Sequence, residues 1–197
     1  MDAALATSPR VGRVPGRTQT IVVLVVTAIL IGAGAFAIDA LSTPDGVTAI
    51  QIDGAARALR VGDTLPAFAG TAIDGSRVSI ADYAGKPLWL TFGATWCADC
   101  RAEAPDIQAA YERYRGQGLG LLAISIEEDS ATVRTYADRV GLTYPTIADP
   151  RNQIAGMFGI YGIPTHYFVG RDGIVQEIRI GGLQPGDMDA ILRKLLG

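Results

Sequence analysis

The sequence predicts an α/β fold in which helices cover a mixed β-sheet, and two observations lead to this prediction. Short apolar runs typical of buried strands alternate with amphipathic helical runs between residues 87 and 160. The chain then continues with two strand-like runs joined by the turn "RDG" and ends in a helical run. Crossover helices connect parallel strands and a tight turn connects antiparallel ones, so the sheet is expected to contain both.

Each element rests on its own local pattern. Strands are predicted where apolar and β-branched residues cluster: residues 87–92, 119–126, 142–147, 165–170 and 173–180. Helices are predicted where apolar residues recur every three or four positions: residues 97–115, 127–141, 150–160 and 186–196. The glycines of residues 116–118 end the first helix, and Asp129 or Ser130 caps the second, which ends at Gly141.

Length and composition limit the possible partners. The chain has 197 residues, 49% of them apolar, 19% charged, and a net charge of −3. These values fit one packed domain with an extension. The sequence has no basic stripe, so no nucleic-acid partner is predicted, and we expect a monomer.

The N-terminal region predicts a membrane anchor. Arg10, Arg13 and Arg17 precede the uncharged run of residues 21–38. At about 1.5 Å per residue, this run forms a helix of about 27 Å, close to the roughly 30 Å hydrocarbon core. The arginines place residues 1–20 in the cytoplasm, so everything after the anchor is expected on the outer face or in the periplasm.

A cleaved signal peptide is the alternative, since residues 35–37 ("AFA") have the small-x-small form of a cleavage site. The length of the apolar run favours a retained anchor, and both interpretations export the domain. Residues 39–60 are predicted to be a linker, and residues 61–197 the folded domain.

The two cysteines of the chain, Cys97 and Cys100, predict redox chemistry. A disulfide across two residues closes too small a loop to stabilise a fold. Because the pair lies in the first turn of a helix, unpaired N–H groups and the helix dipole stabilise a thiolate at Cys97. We therefore expect Cys97 to be exposed and to attack, and Cys100 to be shielded and to resolve the mixed disulfide. With His166 as the only other soft ligand, no metal site is predicted.

Three segments resemble a known family. "KPLWLTFGATWCADCRAEAP" and "YGIPTHYFVGRDG", preceded by "VGDTLPAFAGTAIDG", resemble the membrane-tethered thioredoxin-like proteins of the TlpA/ResA type, relatives of the cytochrome c maturation reductases. The resemblance covers about residues 61–197. It implies a thioredoxin fold with an extra central βα insertion in "YPTIADPRNQIAGMFGIYGIPT" and no cofactor.

The resemblance also implies a set of site residues. Cys97 and Cys100 would form the redox disulfide, and Pro164 would be cis and packed beside it. Ile163 would offer backbone hydrogen bonds to the substrate, and we add the neighbouring residues Trp96 and Thr165 as substrate contacts.

Glu103 has two possible roles. It could be an exposed acid in the early turns of a helix, or a proton acceptor for Cys100, three residues away on the same face. The family has an acid at this place, and Thr91 stands where thioredoxin keeps a buried Asp, so the resemblance favours the second role.

The sequence departs from the family at two positions and has one isolated histidine. Gly93 stands where an aromatic is usual, and Asp99 precedes Cys100. Asp99 either opposes thiolate formation or is an ordinary acid at a helix start. His166 is predicted to be a strand residue rather than a ligand.

The expected function is that of an extracytoplasmic thiol–disulfide oxidoreductase that reduces protein disulfides, in cytochrome c maturation or a similar process, with electrons from a membrane thiol donor. A peroxiredoxin-type peroxidase is one alternative, because "VGDTLPAF" is shared with that branch. A Sco-like copper-delivery domain is another, although it would need a CxxxC spacing.

Overall fold

The computed structural model describes residues 21–22, 24–30, 48–49 and 58–197. The chain divides into two units, Met1–Thr43 and Pro44–Gly197. In the first unit, residues 21–22 and 24–30 are helical, and their large apolar side chains are exposed.

The predicted anchor lies only partly within this description. Among the described residues, no helix is both long and apolar enough to cross a membrane. The predicted tail of residues 1–20 and residues 31–38 of the predicted anchor lie outside the described residues, as does most of the predicted linker.

The second unit contains the strands and the remaining helices. The strands are β1 Thr48–Ala49, β2 Phe68–Thr71, β3 Arg77–Ser79, β4 Leu88–Gly93, β5 Gly120–Ile126, β6 Thr146–Asp149, β7 Thr165–Val169 and β8 Val175–Ile180. The helices are α1 Ala98–Tyr114, α2 Ser130–Val140, α3 Gln153–Phe158 and α4 Pro185–Leu196. Short 3₁₀ turns follow β3 and α1.

The main sheet has the strand order β6-β5-β4-β7-β8. Strands β4, β5 and β6 are parallel, whereas β7 pairs antiparallel with both β4 and β8. The predicted mixed sheet is therefore confirmed. A separate antiparallel sheet joins β1, β2 and β3, and β1 falls within the predicted linker of residues 39–60.

The predicted central insertion is present between β5 and β7. The chain there forms α2, β6 and α3, where a single crossover helix would suffice to connect two strands. The added strand β6 extends the sheet beside β5. It begins at Thr146 rather than at residue 142, because Pro145 has no N–H to donate to a strand ladder.

The two faces of the main sheet bury different sets of side chains. Alternating residues of β4, β5 and β7 point to opposite faces. One face packs against α1 and α4 through Trp89, Leu121, Phe168, Ile107 and Leu192. The other face packs against α3 and the β2–β3 hairpin through Leu90, Phe92, Ile124, Tyr167, Phe158 and Phe68. The central strand β4 is thus covered on both sides.

Helix α1 carries the cysteine motif at its start and a proline in its second turn. Cys97 is the N-cap residue, one position before the first helical residue Ala98. The prediction that the helix begins at Cys97 is therefore wrong by one residue. Pro105 lies inside the helix, and Ile107, Ala110 and Tyr114 are buried beyond it. The buried residues anchor the helix against the sheet, so the cysteine turn is held at the end of β4.

Candidate active site

The cysteine pair closes a disulfide at the N-terminus of α1. Cys97 and Cys100 are bonded, with their Cα atoms 5.3 Å apart. The backbone N–H of Cys100 points to Sγ of Cys97 at 3.2 Å, so this sulfur occupies the N-cap acceptor position. When the disulfide is reduced, a negative charge on this sulfur is stabilised by the same N–H and by the helix dipole.

A buried acid holds the loop before Cys97. Glu128 accepts hydrogen bonds from the backbone N–H of Thr95 at 2.7 Å, from the Thr95 hydroxyl, and from the Ser125 hydroxyl at 2.7 Å. Glu128 was not among the site residues predicted from the sequence. It lies in the acidic run of residues 127–129, and nothing in that run distinguishes a buried acid from its exposed neighbours.

The proline loop lies against the first cysteine. The Ile163–Pro164 peptide bond is cis, as the resemblance implied. The carbonyl oxygen of Ile163 lies 3.9 Å from Sγ of Cys97. Trp96 is 53% exposed beside the disulfide, whereas Thr165 is buried and donates its hydroxyl hydrogen bond to the carbonyl of Gly162 at 2.7 Å. Trp96 and the backbone of Ile163 thus border the surface, and the Thr165 side chain supports the loop from beneath.

The exposure of the two cysteines is the reverse of what the sequence analysis expected. Cys97 is 9% exposed, and Cys100 is half-buried. The expectation that Cys97 is the exposed residue is therefore wrong for this disulfide-bonded state, because the proline loop approaches its sulfur. The order of attack remains a prediction, since it depends on the thiolate as well as on exposure.

Glu103 is buried behind the disulfide. It is 4% exposed, so the alternative of an exposed helix acid is wrong. Its Oε2 accepts a hydrogen bond from the backbone N–H of Leu183 at 2.9 Å. Glu103 and Cys100 line the same cavity between α1, α2 and the sheet, together with Thr91 and Gly93. Its role as proton acceptor for Cys100 remains a prediction, since that role requires the two groups to come within hydrogen-bond reach during the reaction.

Gly93 leaves room in that cavity. A Cβ atom added at Gly93 would lie 3.4 Å from Sγ of Cys100. Any larger side chain would extend into the space beside this sulfur, so the departure from the family's usual aromatic opens the cavity. Asp99, the other departure, is exposed and does not line this cavity.

His166 is a strand residue, as predicted, but it lies in the site. It is fully buried in β7, opposite Thr91 of β4. Its Nε2 lies 3.4 Å from Oε1 of Glu103. On its other side, the indole N–H of Trp89 donates to Nδ1 at 3.3 Å, and Oγ1 of Thr91 lies 3.0 Å from the same atom. These contacts could not be predicted from the sequence, because they depend on the pairing register of β4 and β7.

Comparison with known proteins agrees with this geometry. The model of the AhpC/TSA family matches residues 61–178. The thiol-disulfide oxidoreductase ResA of Geobacillus kaustophilus is 32% identical over 138 residues, which cover 70% of this chain and 79% of that protein. This chain belongs to the ResA-like thiol–disulfide oxidoreductases of the AhpC/TSA family. ResA of Oceanobacillus iheyensis is likewise 32% identical, over 140 residues, covering 69% of this chain and 73% of that protein.

Solved structures give the same result for the ResA-like domain. The crystal structure of a thiol:disulfide interchange protein of the thioredoxin family from Chlorobium tepidum matches with a TM-score of 0.64 and 30% identity, covering 71% of this chain and all of that one. The domain therefore has a thioredoxin-like fold. With Cys97 and Cys100 at its redox position, the ResA-like protein is a thiol–disulfide oxidoreductase.

Proposed function

We propose that this protein reduces disulfides of exported proteins outside the cytoplasm, while held at the membrane by its N-terminal helix. The observation that carries the proposal is the buried carboxylate of Glu103 on the cavity of Cys100. A resolving thiol must lose its proton before it attacks, and a fixed acceptor beside it serves that step in the reducing direction.

The reaction begins with the dithiol form. The thiolate of Cys97 attacks a sulfur of the substrate disulfide, forms a mixed disulfide with it and expels the other substrate sulfur as a thiolate. The N-cap position of Cys97 favours this residue as the nucleophile. Trp96 and the backbone of Ile163 lie where a peptide chain would approach.

Resolution involves Cys100 and Glu103. The thiol of Cys100 gives its proton to the carboxylate of Glu103, and its sulfur bonds to Sγ of Cys97. The bond between Cys97 and the substrate breaks, and the second substrate sulfur leaves as a thiolate that takes up a proton. Two electrons have then passed to the substrate, and the protein is left with the disulfide seen in the structure.

A membrane thiol donor would return the protein to its dithiol form by the reverse exchange. The predicted anchor of residues 21–38 and the three arginines before it support this location. The helical residues 21–22 and 24–30 expose large apolar side chains, which is typical of a helix surrounded by lipid. Substrates in cytochrome c maturation follow from the family resemblance.

The match to the AhpC/TSA family also keeps a peroxidase as a second candidate. A peroxidase of this kind would use a lone reactive cysteine, whereas here both cysteines are joined within one helical turn. This pairing favours disulfide exchange.

Substrate trapping tests the proposal. Cells producing the full chain with Cys100→Ser should accumulate mixed disulfides through Cys97, because nothing remains to resolve them. Mass spectrometry should identify exported proteins, such as apocytochromes, as the partners. The matched control Cys97→Ser should trap little.

Three other results would contradict parts of the proposal. Trapping only by Cys97→Ser would reverse the two roles. Cytoplasmic partners would contradict the location. If neither variant trapped a protein while the wild type consumed peroxide, the peroxidase would replace the reductase.

A further inference from the structure

His166 presents a buried nitrogen that the proposed reaction does not use. Within the described part of the chain, Nε2 of His166 forms no hydrogen bond, and Oε1 of Glu103 lies 3.4 Å from it. A buried polar atom without a partner is costly and calls for an explanation. The carboxylate it faces is the one that borders the cavity of Cys100.

The neighbours of Nδ1 fix which nitrogen carries the proton. The indole N–H of Trp89 is a donor only, and it points at Nδ1 from 3.3 Å. Nδ1 must therefore accept, and the proton of a neutral imidazole lies on Nε2. A doubly protonated ring would set its Nδ1–H against the Trp89 N–H. In a neutral ring the one N–H is then on Nε2, the atom that lies 3.4 Å from Oε1 of Glu103.

The second oxygen of Glu103 is held from the opposite side. Oε2 accepts the backbone N–H of Leu183 at 2.9 Å, at the loop that precedes α4. One donor on Oε2 and the His166 N–H facing Oε1 restrict rotation of the carboxylate. A base fixed in this way loses little orientational freedom when it takes a proton.

We propose that His166 is a positioning residue: its Nε2 lies 3.4 Å from Oε1 of Glu103, keeps that carboxylate facing the cavity of Cys100, and donates to it when the two atoms close to hydrogen-bond distance during the reaction, with the tautomer set by Trp89. The inference rests on the proposed role of Glu103 as the proton acceptor. His166 itself takes no proton in this arrangement. It acts only through Glu103. Its effect on the rate should therefore disappear when Glu103 is replaced, whereas a contribution to core packing would remain.

Two substitutions of His166 distinguish the contacts of Nδ1 from those of Nε2. An Asn amide reaches about as far as Nδ1 and can keep the contacts to Trp89 and Thr91 but not reach Glu103. A Gln amide extends to the position of Nε2 and can still donate to Glu103. We expect His166→Asn to slow resolution of the Cys97 mixed disulfide roughly threefold to tenfold, a coupling typical of neighbouring groups. His166→Gln should stay within about twofold of the wild type.

The experiment uses the full chain, reduced and reacted with oxidised glutathione, and measures release of glutathione from Cys97 by acid quench and mass spectrometry. Each His166 variant is also combined with Glu103→Gln. If His166 acts through Glu103, His166→Asn should add nothing once Glu103 is replaced. A further slowing in that background would overturn the proposal and assign His166 a purely structural role. Equal rates for His166→Asn and the wild type would overturn it as well.

Two further measurements keep the outcomes distinct. Because His166 is the only histidine, ¹⁵N NMR of the wild-type chain should show a single imidazole whose proton is on Nε2 and not on Nδ1. An Nδ1–H tautomer would contradict the proposal whatever the variants do. If Glu103→Gln alone left the rate unchanged, its role as base and the role of His166 would both be wrong. Trapping by Cys100→Ser would still show whether the protein exchanges disulfides.

Discussion

Three carboxylates are buried in this domain, those of Glu103, Glu128 and Asp149. Two of them, Asp149 and Glu103, lie near the starts of two different helices and can be compared directly. Asp149, at the end of β6, is fully buried and uses both oxygens on α3, accepting the backbone N–H groups of Gln153 and Ala155 at 2.8 Å each. Glu103 accepts the backbone N–H of Leu183 with Oε2, and its Oε1 faces His166. The residue also lines the cavity of Cys100. Burial alone therefore does not identify a catalytic acid. What distinguishes Glu103 is that it lines the same cavity as the redox-active Cys100.

The largest effect on stability should come from replacing Asp149, whose two oxygens only hold the start of α3. Asp149→Ala leaves the N–H groups of Gln153 and Ala155 without their acceptor in the interior, and we expect a loss of about 3 kcal/mol in the free energy of unfolding. Urea denaturation followed by tryptophan fluorescence measures this. Disulfide exchange at temperatures where the variant is folded should match the wild type. A stable variant with impaired exchange would break the distinction drawn between the two acids.

Glu103→Gln should show the opposite behaviour. The amide keeps the size of the side chain and can accept from Leu183, so we expect a change in unfolding free energy within about 1 kcal/mol. The rate of exchange should fall roughly tenfold or more, and its pH profile should flatten, because the general base is lost. Stopped-flow fluorescence measures the exchange rate and its pH profile.

Asp106→Asn is the matched control for this experiment. It removes a partly buried carboxylate three residues further along α1 that does not line the cavity of Cys100. Its rate should equal that of the wild type. An equal loss in both variants would mean that the charge of α1, rather than proton transfer, governs the rate.

The smallest effect concerns the pH dependence of stability. Burial raises the pKa of Asp149 above its ordinary value of 3.8, although the backbone N–H groups of Ala155, Gln153 and Ile154 oppose the shift. The native state therefore binds this proton more tightly than the unfolded chain does. The part of the stability that comes from this tighter proton binding is complete below pH 3.8 and is lost as the pH rises through the raised pKa, whereas the hydrogen bonds to Gln153 and Ala155 remain. In Asp149→Asn this decline should be absent from unfolding curves measured across that range, and an identical slope in both proteins would contradict the prediction.

The architecture was predictable because it rests on local patterns. The buried run before the cysteines, the helix after them and the closing hairpin each have a signature in the sequence, and the last helix buries Met188, Ile191, Leu192 and Leu195 at the expected spacing. Element ends were less predictable. The helix predicted over residues 150–160 extends only over Gln153–Phe158, where Asn152 and Gly159 adopt left-handed conformations at its two ends.

The site was predictable only in part. The cysteine pair and Glu103 follow from spacing along one helix and from the family resemblance. His166 and Glu128 could not be found in this way, because their roles depend on which strands and loops become neighbours. Thr91 and His166 are 75 positions apart in sequence and meet only through the register of β4 with β7. The prediction that Cys97 is exposed was wrong for a similar reason. Its exposure depends on the proline loop at Ile163, which comes from a distant part of the chain.

Pro105 gives α1 two mechanically distinct parts. A proline has no N–H, so it cannot donate to the carbonyl oxygen of Arg101, and the helix lacks one rung of its ladder directly after the cysteine turn. When the sulfur–sulfur bond opens, the two sulfur atoms must move apart. The missing rung lets that adjustment stay within the first turn, while the part that holds Ile107, Ala110 and Tyr114 in the core remains still. The first turn of α1 can therefore adjust in each redox cycle while the rest of the helix stays packed against the sheet.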